Sequence, residues 1–140
     1  MNVTVEALDS EVASAAFPDL PNQGWVVVKQ ALGHTPQPYA GVLLDRVVNR
    51  SAYGARKFGN LWLHRDNTLE LVEETSDTLV YSSQETARVV MGETPLAPHS
   101  SEAYTALEHL TQAARHAALA DVHGQMAGQV IYGRPEVDRR

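Results

Sequence analysis

Three of the six histidines, His109, His116 and His123, fall seven residues apart in "EHLTQAARHAALADVH". Imidazoles ligate metals and titrate near neutral pH, so a repeat of them raises a metal site or a pH switch. On a helix, seven residues bring two side chains nearly into line but leave them about 10 Å apart along the axis. A zinc ion holds its ligand atoms within about 2 Å of itself. Around the three histidines, the positions three and four residues away are Thr105, Ala106, Gln112, Ala113, Leu119, Ala120, Met126 and Ala127. None of these is a carboxylate or a second imidazole. The ladder therefore does not build one metal site on one helix. Ala103, Leu107, Leu110, Ala114 and Ala117 form the apolar stripe, and the histidines fall on its flank, about 100° or more from the stripe's centre. His109, Gln112, Arg115, His116 and Leu119 then read as a face offered to a partner helix, because Leu119 interrupts an otherwise polar flank.

Other reactive side chains are scattered. His34, His64 and His99 lie outside the ladder, and a small hydrolase or metal-dependent enzyme built on them is one reading of the chain. The hydroxyls of Ser100 and Ser101 stand beside His99, but a helix N-cap explains them with less effort. Glu73, Glu74 and Asp77 offer carboxylates that an acidic turn explains equally well. The sequence carries no HExxH, phosphate-loop, dinucleotide-glycine or nucleophile-elbow pattern. It has no cysteine, which removes thiolate metal sites, disulfides and a cysteine nucleophile together. No catalytic residue, cofactor or metal ligand is assigned on this basis.

The segment "RVVNRSAYGARKFGNLWLHR" has a different character. Arg46, Arg50, Arg56, Lys57 and Arg65 supply five cations with no acid among them. Tyr53, Phe58 and Trp62 are interleaved with them. Sites for single-stranded nucleic acid combine such charges with aromatic platforms, each stacked base contributing about 1–3 kcal/mol. Arginine beside exposed tryptophan is also a common protein contact. From Asp66 to Glu108 the balance reverses, with nine acids and one base, Arg88. The formal net charge is −6, which disfavours generic coating of nucleic acid and favours a protein partner.

The elements that must position these residues are read from periodicity. A length of 140 residues suits a single domain, with 125–140 as a possible loose tail. "VEALDSEVASAAF" predicts a short helix that stops before Pro18. "WVVVKQAL" is apolar and β-branched and predicts a strand. "YAGVLLDRVVNR" has helical spacing, with a strand as the alternative, and "SAYGARKFG" follows it as a basic loop. "NLWLHR" and "TLELVEE", joined by Asp66-Asn67, predict a hairpin, and "TLVYS" a third strand. Ser82 and Glu85 match a capping box for a short helix ending at Gly92. The longest helix should begin near Ser100 or Ser101 and run to about Val122, with Gly124 as its stop and "QVIY" as an edge strand. The fold class expected is α+β: an antiparallel meander of three or four strands packed on a long C-terminal helix and two or three shorter ones.

The N-terminus shows no secretory leader pattern, and no apolar run reaches the roughly 20 residues that span a bilayer. A cytoplasmic location is expected. The functional expectation is an acidic, soluble, non-enzymatic binding or regulatory protein that works through protein contacts, with homo-oligomers possible. Single-stranded nucleic-acid binding through residues 46–65 is the alternative.

Overall fold

A computed structural model describes residues 3–134 of the chain. Among them there are five α-helices and no strand: α1 (Ser10–Ala16), α2 (Asn22–Gly33), α3 (Tyr39–Phe58), α4 (Asn67–Val90) and α5 (Ser101–Tyr132), with a single 3₁₀ turn at Leu61–His64. The α+β expectation and its meander are thereby overturned. The chain divides into two compact units, which meet in sequence between His64 and Arg65.

The first unit has an ordinary apolar core. Leu8, Phe17 and Leu44 are its largest fully buried side chains, joined by Val3, Val5, Trp25, Leu32 and Ala40. The stretch "WVVVKQAL" lies within α2 rather than in a strand. Trp25, Val28 and Leu32, spaced by three and four, share the face packed on the core, whereas Val26 and Val27 are exposed. A β-branched residue costs a few tenths of a kcal/mol in a helix. Burying a side chain the size of leucine contributes about 1.5–3 kcal/mol, so packing overrides propensity. Trp25 keeps its indole proton bonded, donating to Asn22 at 3.2 Å. In α3, Ala40 and Leu44 are buried and Val47 and Val48 pack against the core. The helix continues to Phe58, so "SAYGARKF" is helical and not a loop. Gly59, at φ 60°, ends it.

The second unit is an antiparallel hairpin of α4 and α5. Asp66-Asn67 is not a β-turn. Asp66 is the N-cap of α4, accepting from the Thr68 amide at 2.9 Å. The same residue types serve both roles. Ser82 is buried in mid-helix rather than capping anything. Thr75, Ser82 and Val89 are buried along α4, and Ala103, Ala117, Gly124 and Gly128 along α5. Seven-residue steps recur in both sets, the repeat of a two-helix seam. Ser100 caps α5 by accepting from the Ala103 amide at 3.1 Å. Gly124 does not stop the helix: it faces Leu71 and Val72 of α4. "QVIY" forms the last turn of α5, and residues 125–132 belong to this helix rather than to a loose tail. Residues 135–140 of that expected tail lie outside the described residues.

Two sets of polar bonds hold the hairpin's register. Midway, the Thr75 hydroxyl donates to the Asp121 carboxylate at 2.9 Å, with the Val72 carbonyl 2.8 Å away. The other oxygen of Asp121 accepts from the Gln125 amide. At the open end, Gly133 adopts a left-handed conformation, φ 64°, which costs glycine nothing. The next residue, Arg134, donates from Nη1 to Asp66 and from Nη2 to the Thr68 hydroxyl, each at 2.6 Å. Thr68 in turn donates its hydroxyl proton to Asp66. The guanidinium crosses directly over Gly128, where a Cβ would sit 1.4 Å from Nη2.

Three outcomes test these contacts. Leu44→Ala should lower stability by about 2–5 kcal/mol in urea unfolding. Gly128→Ala gains about 1 kcal/mol of helix propensity yet should lower the unfolding midpoint at pH 7, because Arg134 is displaced from Asp66. The third concerns pH. Partial desolvation acts to raise the Asp66 pKa, but the Thr68 hydroxyl and amide and the Arg134 guanidinium outweigh it and hold the carboxyl below its ordinary value. A lowered native pKa stabilises fully above the unfolded value of about 3.9 and is lost as pH falls through the native value. Asp66→Asn should therefore shrink the fall in melting temperature between pH 5 and pH 2.

Candidate functional site

Two exposed surfaces gather the residues that the sequence singles out. The first lies on α3. At 100° per residue, Arg46, Arg50, Tyr53 and Lys57 fall within an arc of about 60°, opposite the buried Ala40 and Leu44. All four are exposed. The Arg50 guanidinium stands 5.5 Å from the centre of the Tyr53 ring and the Lys57 ammonium 5.4 Å from it. Lys57 also donates to the Tyr53 hydroxyl at 3.0 Å and lies 5.2 Å from the Phe58 ring. Among the described residues the ion pairs are Arg88–Glu85 and Arg134–Asp66. Arg46, Arg50, Arg56 and Lys57 thus have no carboxylate partner there. Arg56 sits about 90° from the stripe's centre. Both Arg56 and Lys57 fall in the last turn of α3, where positive charge favours the helix dipole.

The remaining members of the basic segment part from this stripe. Trp62 is half-buried in the 3₁₀ turn. Arg65 belongs to the second unit, where it donates to Asn67 at 2.8 Å.

The second surface is the side of α5 turned away from α4. His109, Gln112, Arg115, His116 and Leu119 are all exposed, and so is His123. Because α5 runs to Tyr132, this face continues for three more turns. Val122, Met126 and Val130 follow Leu119 at spacings of three and four, within about 80° of arc. Their exposures are 55% for Leu119, 49% for Val122, 52% for Met126 and 86% for Val130. Met126 and Val130 were hidden from sequence reasoning once Gly124 was taken as the end of the helix, and Val122, at the expected end, was not singled out. Their spacing from Leu119 was the available signal.

Little else gathers reactive groups. His34 caps the C-terminus of α2, His64 ends the 3₁₀ turn, and His99 precedes α5 at φ 68°. Among the described residues, no group of three or more His, Asp or Glu is placed to hold a metal ion. A cleft of about 400 Å³ in the first unit is lined by Val3, Val5, Glu6, Pro38, Val42 and Asp45 among others. No helix is long and apolar enough to cross a membrane among the described residues.

No protein-family model matches the chain, and neither a curated protein nor a solved structure shows significant similarity to it.

The charge stripe carries its own expectation about folding. Arg50→Ala and Lys57→Ala, alone or together, should change stability by less than about 1 kcal/mol, since exposed cations and cation–π contacts are weak. A larger loss on urea unfolding would mean that the stripe serves the fold rather than a partner.

Proposed function

We propose that this is a non-enzymatic binding protein that works through protein–protein contacts, and that its contact surface is the outer face of α5. The observation that carries this reading is the apolar stripe Leu119, Val122, Met126 and Val130, exposed on a helix whose opposite face is already packed on α4. A helix that is apolar on two opposite faces belongs between two layers. Isolated exposed leucines are ordinary, but four aligned over three turns form a contiguous patch of the kind that marks interaction sites. The spacing of three and four is that of a helix–helix seam, so the partner is itself helical and apolar along one side.

Met126→Glu tests this. It places a charge in the middle of the stripe and leaves the α4 seam untouched. Circular dichroism should retain the helix content, while recovery of a partner on the immobilised protein falls at least tenfold. Unchanged recovery would remove the stripe as a contact surface.

A second reading rests on the alignment of Arg46, Arg50, Tyr53 and Lys57 along α3. It makes the protein a binder of single-stranded nucleic acid, with the tyrosine as a stacking platform and the cations on phosphates. It requires oligonucleotide affinity that falls steeply with salt, and a log–log salt slope reduced by about 0.7 for each cation replaced. Absence of binding to any single-stranded oligonucleotide at 20 mM salt, roughly three-fold below the range where phosphate contacts are usually compared, would eliminate it.

A further inference from the structure

We infer that the occupant of the α5 stripe is a second copy of this chain, seated antiparallel, so that Leu119 of one copy lies against Val130 of the other and Val122 against Met126. This rests on the reading of the stripe as a protein contact and names its partner.

Three observations support a self-pair. The first is the order of the stripe. Counted from either end, its apolar positions recur at spacings of three and four. Reversing the helix about its 124–125 midpoint therefore superimposes apolar positions on apolar positions to within one residue, about 1.5 Å. A face that matches its own reverse is what a two-fold interface requires.

The second is what bounds the stripe. Towards the N-terminus the same side of α5 carries Arg115, Gln112 and Glu108, all exposed. Towards the C-terminus the helix ends at Tyr132 and Gly133 turns the chain away. Antiparallel pairing lets each polar half run past the end of its partner helix. Parallel pairing would set Arg115 against Arg115 and Glu108 against Glu108, like charges at equal height.

The third is the hairpin itself. α4 and α5 cover one face of each other and no more. Two such hairpins paired through α5 make a four-helix arrangement in which α5 is packed on both sides. The area fixes the strength. Four half-exposed to largely exposed side chains supply roughly half of the about 800 Å² per partner found in stable complexes. The dimer is therefore one that dissociates on dilution.

The absence of cysteine makes a directional test clean. Full-length Leu119→Cys and Val130→Cys variants are mixed and oxidised with an added oxidant. The mixed disulfide between positions 119 and 130 should form at least fivefold faster than either like-with-like disulfide. Equal rates, or a faster 119–119 bridge, overturn the antiparallel arrangement. In parallel, sedimentation of the unmodified chain should show a mass that rises from monomer to dimer with concentration, and Met126→Glu should abolish that rise. Val130→Ser serves as a milder second variant and should weaken it. A monomer at every concentration overturns the self-pair. If Met126→Glu then still reduces recovery of another protein, the contact reading stands with a different occupant. If it does not, both fail.

Discussion

The structure of the second unit depends on how little α5 places between itself and α4. Its buried positions are Ala103, Ala117, Gly124 and Gly128. Small side chains let two helix backbones approach closely, but they bury little apolar surface. At about 0.8 kcal/mol per methylene, an alanine or glycine seam contributes far less than a leucine seam would. Two interior glycines add a further cost of about 1 kcal/mol each relative to alanine. Polar bonds then select the register. A slip of one turn separates Thr75 from Asp121 and Arg134 from Asp66 together. The glycine at 128 is part of that device, because only a residue without a side chain leaves room for the guanidinium crossing above it.

The first unit is held by different means. Leu8, Phe17 and Leu44 are fully buried, and Trp25 and Leu32 are nearly so. These are large side chains in a conventional core, and they fix α3 with one face inward. The cations of α3 are consequently presented outward as a line, with Tyr53 among them. Their alignment follows from burying Ala40 and Leu44, and part of their placement follows from the helix dipole. That is why the stripe supports a second reading of function rather than the first: a solvated face of an amphipathic helix is charged in any case. An apolar outer face is the feature that folding alone does not explain.

α3 as far as Arg50 and the start of α5 were legible in the sequence because their apolar residues recur at three and four, with Ser100 as a cap for α5; of the helix expected over 5–17, only Ser10–Ala16 is helical. α2 was misread because three consecutive valines suggest a strand, whereas only one side of the run is buried. α4 was misread for two reasons. Leu61 and Leu63, then Leu69 and Leu71, alternate as a hairpin would. The true seam passes through Thr75 and Ser82, polar residues that conceal its seven-residue period. The end of α5 was misplaced because glycine after a periodic run usually marks a C-cap, and here Gly124 marks close approach instead. Of the outer face of α5, Leu119 was legible, Val122 stood at the expected helix end without being singled out, and Met126 and Val130 were lost with that boundary. The basic-aromatic cluster was legible as composition, but its reduction to four aligned residues on α3 required the helix to extend through residues 51–58.

α5 shows why a long helix can look weakly patterned and still be specific. Amphipathicity is the difference between two faces, and it vanishes when both faces are apolar. In "AALADVHGQMAGQVIY" the inward positions Ala117, Asp121, Gly124 and Gly128 alternate around the helix with the outward positions Leu119, Val122, Met126 and Val130. The inward set is small and partly polar, suited to register. The outward set is large and apolar, suited to burial. Placing the large residues inward would have given a more stable hairpin and no use for the outer face. The opposite distribution reduces the hairpin's own stability and places the apolar surface where another helix can reach it. The two sets share no residue, so the inward positions can fix the register of the hairpin without constraining which residues the outward face presents.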